Sequence, residues 1–432
     1  MHRVGLGLIL VLANASGVAQ VDCTAPASWP PPHAEPSATQ FLDELQRASF
    51  RFFWEAADPQ TGLVKDRSRA DGPDARSVAS IAATGFGLTA LCIGSHRNFV
   101  SEAQARQRAR ITLQFLRNRM PHHHGFFYHF VDARTGQRVW QSELSSIDTA
   151  LLLCGVLTAR QYFADPEIQQ LATELYHRVN WPWMLDGGRT FAHGWKPESG
   201  FLPHRWDTYS ELMMLYLLAL GSPTHPVPAE AWQAWRRPRL SYQALDFIFC
   251  RAPLFVHQYS HAWFDFRGVH DAWTNYFDNS VAATRAHRLF CLNLRQRFPL
   301  FGPDLWGITA SDSARGYVVW GGPPELGPLD GTLVPCAAAG SLPFLPGDCL
   351  HTLQTMRAKF GSEVWKRYGF VDAFNPHTGW VGPDVIGIDV GITLLMAENL
   401  RSGFVWTTFM KNPEVRRAMD RVGFKPDTPP RR

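Results

Sequence analysis

Six times along the chain, a polar loop rich in Gly, Trp and acidic residues runs into an apolar stretch opened by Ser, Asp or Asn. The stretches are "RSVASIAATGFGLTALCIG" (76–94), "ELSSIDTALLLCGVLTA" (143–159), "TYSELMMLYLLALG" (208–221), "DNSVAATRAHRLFCLNL" (278–294), "AAAGSLPFLPGDCLHTLQTM" (337–356) and "VIGIDVGITLLMAENL" (385–400). Counted from about 77, 145, 209, 279, 340 and 387, their starts are 68, 64, 70, 61 and 47 residues apart. A helix that is apolar on every side must be buried on every side, whereas a striped helix can face water. Striped segments with ordinary charged faces lie between them at 38–57, 101–119, 165–180 and 412–424. Buried helices alternating with striped ones predict two concentric rings, an all-α (α/α)6 barrel. Strand signals are sparse; "GFFYHFVDARTGQRVW" (125–140) reads as a small β-hairpin turned at Thr135-Gly136 that decorates one rim.

The chain has 432 residues, 45% of them hydrophobic, enough for a large core. Residues 1–19 have a short basic start, an apolar run and small residues at Gly17-Val18-Ala19, the pattern of a cleaved secretory signal peptide. Residues 20–37 form a Pro-rich linker, 38–424 the barrel domain, and 425–432 a disordered tail. This organisation predicts a periplasmic or secreted protein without membrane insertion, acting as a monomer. Net charge is only +4 and no long Lys/Arg run is present, which argues against a nucleic-acid partner. Seven Cys (23, 92, 154, 250, 291, 336 and 349) lack C-x-x-C spacing. Cys92, Cys154 and Cys291 sit inside apolar helical runs as buried free thiols. No zinc site is indicated, His122–His124 being neighbours on a loop that rarely converge on one ion, and no cofactor is expected.

In a barrel of this kind the loops entering the inner helices emerge at one end, so their acidic residues converge on a central funnel. Those residues are Glu143, Asp148, Asp207, Glu211, Asp278 and Asp389. Thr208-Tyr209-Ser210-Glu211 also fits an S/T-x-x-E capping box, so Glu211 is expected both to cap its helix and to point into the cleft. Like charges crowded in a cleft raise one another's pKa and can set a protonated acid beside an ionised base. Hydrolysis of a glycosidic bond needs that pair, together with aromatic platforms and hydrogen-bonding groups for sugar rings. The loops supply both. Candidate binding residues are Trp54, His204, Arg205, Trp206, Asp207, Tyr209, His261, Trp263, Asp265, Arg267, Asp312 and Trp320. There is no G-x-S-x-G, H-E-x-x-H or G-x-x-x-x-G-K-[ST]. Tyr259 and His261 leave open a polysaccharide lyase that uses a Tyr/His pair.

Several blocks occur here in one order, among them "FRFFWEAADPQTGLVKDRS", "ELSSIDTALLLCG", "RWDTYSELMMLYLLALGSP", "QYSHAWFDFRG", "YGFVDAFNP" and "GIDVGITLLMAENLRSG". Together they resemble the glycoamylase-like family of (α/α)6-barrel, six-hairpin glycosidase-like proteins, over about residues 38–424. That family includes bacterial endo-β-1,2-glucanases. The resemblance implies an exported hydrolase of β-1,2-glucan, with Glu143, Asp148, Glu211 and Asp389 at the family's acidic positions. It makes Glu211 the general acid, ranks Asp148, then Asp389, then Glu143 as base, and implies inversion, with related enzymes relaying the proton through a substrate hydroxyl. The chain departs from the family at "GIDVGITLLM", where a "GIDQGP"-like sequence is expected after the Asp. Alternatives on the same barrel are a non-catalytic glycan-binding protein and a β-glucan transglycosylase.

Overall fold

The computed structural model describes residues 37–249, 251 and 253–427. The expected signal peptide, most of the expected linker, residues 428–432, Cys23 and Cys250 lie outside the described residues. The thirteen α-helices found there are α1 (Ala38–Glu55), α2 (Ile81–His96), α3 (Glu102–Asn118), α4 (Ser146–Tyr162), α5 (Pro166–His177), α6 (Trp181–Met184), α7 (Met213–Gly221), α8 (Tyr276–Asn293), α9 (Pro335–Ala339), α10 (Pro346–Val364), α11 (Gly387–Ser402), α12 (Phe404–Phe409) and α13 (Pro413–Val422). None of the described helices is long and apolar enough to cross a membrane.

The chain folds as an (α/α) barrel. Helices α2, α4, α7 and α11 bury nearly every residue, as their all-round apolar character requires. They form an inner ring in which α2 packs on α4 and α11, α4 on α7, and α9 on α11. Two 3₁₀ turns, Leu254–His257 and Tyr259–Ala262, close the gap between α7 and α9. Ser260 joins them to α7, and Gln258 donates to the Ala337 carbonyl (2.9 Å) and Ser341 (2.8 Å) beyond. The striped helices lie outside: α1 on α2 and α11, α3 on α2 and α5, α5 on α4, α13 on α7, α8 on the 3₁₀ pair, and α10 on α9.

This corrects two assignments. The stretch at 337–356, expected as one inner helix, is divided between short inner α9 and outer α10. The stretch at 278–294 was expected in the inner ring, but α8 alternates buried Tyr276, Ala283 and Phe290 with exposed Asp278 and Arg285. The inner position belongs to 254–262, whose Gln, Ser and His residues disguise it as a loop. Those side chains are buried and hydrogen-bonded instead. The hairpin expected near 135 is present: Val131 pairs with Arg138 and Gly136 turns the chain at φ +72°. At the margins, Ser37 caps α1 through a capping box with Gln40 rather than ending a linker. The expected tail begins later than 425, since Lys425–Pro426 pairs with Val269–His270.

Candidate active site

Short strands stitch the mouth of the barrel. Val78–Ser80, Leu144–Ser145 and Asp384–Ile386 run directly into α2, α4 and α11. They pair respectively with Phe130–Asp132, Gly194–Lys196 and Arg67–Arg69. Three helix entrances are thereby held at fixed height, and the first turns of α4 and α11 place Asp148 and Asp389 at equivalent third positions.

Glu211 arrives differently. It lies in a turn before α7, which starts at Met213 without a side-chain cap of its own. The expected capping box is not formed; Thr208 instead donates to Asp207 (3.1 Å). The cap comes from the neighbouring inner segment. Ser260 Oγ accepts from the Met214 N–H (3.1 Å) and donates to the Glu211 carbonyl oxygen (2.7 Å). The Glu211 carboxyl is thus spared the helix end, and the residue is buried, only 6% exposed. Burial, reinforced by the charge of Asp148, pushes its pKa up to about 7.

Asp148 is buried as well and accepts from Ser145 Oγ. Burial raises its pKa, while His129 and Ser145 pull the other way and the charges of Glu143 and Asp66 add to the rise. A position at a helix N-terminus favours a carboxylate by at most about 2 kcal/mol, and here burial outweighs it. His129 stands between two carboxylates, Nδ1 at 3.0 Å from Glu143 and Nε2 at 3.6 Å from Asp148. Burial opposes its charge, yet these neighbours hold the ring protonated up to about 9. In turn, despite burial, His129 keeps Glu143 below the usual carboxylate range.

A second acidic group adjoins the first. Asp389 receives the Tyr259 hydroxyl at 3.5 Å and lies against Cys336 and Asp372. Burial raises both Asp389 and Asp372; the charge of Asp389 adds to the rise at Asp372, whereas hydrogen bonds from Asp372 and Cys336 restrain that of Asp389, and the charge of Asp312 lifts both. Asp372 also accepts the Asp312 N–H (2.7 Å), and Asp312 pairs with Arg67 at 2.8 Å. Asp66, ion-paired to Arg67 at 3.2 Å, is close enough to lift both Asp148 and Asp389. The carboxylates at 143, 148, 211 and 389 therefore share one electrostatic neighbourhood, and Asp312 belongs to it.

The binding residues divide. Trp206 lines the same region, donating to Ser146 at 2.9 Å and stacking on His193 at 4.0 Å. Trp320 braces the Asp312 loop through Ser311 (3.2 Å). His204 is exposed beside His193; Asp207 meets Arg236 at 3.5 Å; Arg205 is taken up by Asp186 at 2.9 Å. Others were misplaced. Trp54 is on outer helix α1, under the Arg108 guanidinium. Tyr209, His261 and Trp263 are core residues held by His257, Ser280 and Thr89. Asp265 and Arg267 pair with each other at 2.8 Å, and Arg267 covers Trp406, beyond the C-terminal end of α11 and opposite the mouth. His261 turns away from Tyr259 toward α8, so no Tyr/His lyase pair forms. Asp278 faces outward on α8.

The sequence reading missed His129, Asp372 and Asp66. Each sits in a bend beside a short strand, and only pairing between distant loops brings it to the mouth. His129, Glu143 and Asp148 carry ligand-type atoms within 4.8 Å of one another. Both ring nitrogens face carboxylates, however, which is the arrangement of an imidazolium bridge. His123 and His124 are exposed and pack on Trp195 and Trp183 instead of converging.

Residues 203–413 match the family model Glycoamylase, described as "Putative glucoamylase". A curated relative from Parabacteroides distasonis, an exo β-1,2-glucooligosaccharide sophorohydrolase (non-reducing end), is 28% identical over 424 residues, 89% of this chain. This chain spans 58% of that relative's length. A crystal structure from Bacteroides uniformis with the same designation as the family is 28% identical, with a TM-score of 0.85 over 91% of this chain and 99% of that one. The endo-β-1,2-glucanase of Chitinophaga pinensis, in complex with sophorotriose and glucose, is 27% identical, with a TM-score of 0.83 over 90% of this chain and 99% of that one. The class defined by fold and site is an (α/α) barrel with a carboxylate-lined mouth. Within that class the chain is similar to the glycoamylase-like family, whose model it matches over residues 203–413.

Proposed function

We propose that the chain is a glycoside hydrolase that cleaves β-1,2-glucan with two carboxyl groups. The observation that carries this reading is Glu211, a buried carboxyl kept neutral up to about pH 7, beside Asp148, which accepts from Ser145 and faces His129. Glu211 gives its proton to the glycosidic oxygen as the bond to the anomeric carbon breaks. Asp148 accepts a proton from the attacking water, directly or through a substrate hydroxyl, and the configuration inverts. His129 and Glu143 hold Asp148 in place, and Asp389 with Asp372 serves the adjoining sugar. Relatives bearing β-1,2-glucan names at 27–28% identity support the linkage. The basic and apolar character of residues 1–19 supports export, which N-terminal sequencing of protein recovered from the periplasm or medium tests.

The deciding experiment is kinetic. Glu211→Gln should lower kcat/KM on β-1,2-glucan by ~10²–10⁴ while the melting temperature is kept. A protein that merely binds glycans would lose little. A panel of β-1,2-, β-1,3- and β-1,4-glucans with product chromatography checks the linkage; cleavage of another polymer but not the β-1,2-linked one overturns that assignment. Mixed product lengths mark internal cleavage, and sophorose alone marks attack from an end.

A further inference from the structure

Among large apolar side chains, Trp140 is the most exposed in the described residues, at 58%. Trp273, the next, is held through its indole N–H by Gln233 (2.8 Å) and lies against Arg237. Trp140 is presented rather than tucked away. It and Gln141 are consecutive non-glycine residues in the left-handed region, with φ of +55° and +50°. Such a pair costs backbone free energy and persists only where its surroundings impose it. The bracing is visible. Arg138 donates to the Gln141 carbonyl (2.7 Å) and the Ser142 carbonyl, and is anchored by Glu198. Ser142 Oγ donates to the Phe130 carbonyl (3.0 Å).

This rigid bend ends at Glu143. The Trp140 ring meets Phe130 edge to face at 5.2 Å, and Phe130 stacks on His129 at 3.8 Å. An unbroken aromatic row thus leads from the imidazole between Glu143 and Asp148 out to an indole in solvent. A flat apolar surface with a polar edge, fixed at the rim of a carboxylate pit, matches the apolar face of a sugar ring.

We propose that Trp140 is an outer sugar-binding platform, stacking against a glucosyl unit beyond those that flank the bond being cleaved. It contributes to holding long chains and has less to offer a chain too short to reach the rim. The inference rests on the glucan-hydrolase reading above.

The test compares wild type, Trp140→Ala, Trp140→Phe and Trp140→Asn on β-1,2-glucan and on sophoro-oligosaccharides of decreasing length. Asn tolerates the left-handed backbone and guards against a loop that collapses with Ala. The expected result is a roughly two- to tenfold rise in KM on the polymer for Ala and Asn. That rise should shrink as the chain shortens, with Phe recovering much of it. An unchanged KM at every length, or a change of the same size at every length, overturns the platform. If wild type cuts no β-glucan, the hydrolase reading has failed on its own. Calorimetric binding of β-1,2-glucan to wild type and Trp140→Ala then still decides: weaker binding by the variant sustains the platform, and equal or absent binding by both overturns it.

Discussion

Glu211 keeps its proton because its carboxyl is buried and faces the charge of Asp148, while Ser260 satisfies the start of α7. Two pH effects follow. Activity that needs the neutral acid should fall as pH rises through about 7, seen as the basic limb of the kcat/KM profile. Stability has the same origin. Between 4.5, the ordinary value, and about 7, the unfolded chain has released this proton while the folded protein holds it. The fold therefore loses stability as pH rises through that window, by about 3 kcal/mol in all, and the contribution is flat above it. Glu211→Gln should flatten that slope in melting temperatures measured across the window. His129 is the complementary case. Its folded pKa is raised, so its contribution is fully present below 6.5 and is lost as pH rises through about 9. His129→Gln should move the acidic limb of kcat/KM to higher pH, because Asp148 loses the opposing charge, and its stability deficit against wild type should vanish above about pH 9. At this scale the acids at 143, 148, 211 and 389 were legible from helix-entrance position and family likeness. His129 and Asp372 were not, since nothing local in "FFYHFV" or "GFVDAF" records what faces them across the mouth.

Elements pack where side chains vanish. Helices α2 and α4 touch backbone to backbone: a Cβ on Gly155 would lie 2.0 Å from the Gly85 carbonyl oxygen, and one on Gly85 would lie 2.3 Å from that of Leu151. No rotamer change relieves a clash with main chain. Gly155→Ala should therefore destabilise by roughly 1–3 kcal/mol or more and lower activity as well, because α4 carries Asp148; denaturant midpoints and kinetics check both. The long apolar helices were readable because their composition forbids exposure. The 3₁₀ pair at 254–262 was not, because a short buried segment rich in Gln, Ser and His looks like a loop until its partners are known. For the same reason aromatic residues at 209, 261 and 263 were read as sugar contacts although they fill the core.

Closure of the ring joins chain segments that are far apart. Glu398 on α11, fully buried, accepts from Gln46 of α1 (2.6 Å) and from Arg97 after α2 (2.8 and 2.7 Å). Glu398→Ala leaves Arg97 without its counter-charge and should cost roughly 3–5 kcal/mol. A fall in melting temperature larger than that of a surface Glu→Ala control checks it. The sequence by itself determined that the chain folds mainly as helices, that its wholly apolar helices α2, α4, α7 and α11 lie inside, and that acids crowd the helix entrances, because burial demand and helix-end electrostatics are local properties. Only the tertiary structure decided which short segment completes the inner ring, which residue caps α7, and which histidine stands between the carboxylates. Those outcomes depend on contacts between residues tens to hundreds of positions apart, which hydrophobic periodicity does not encode.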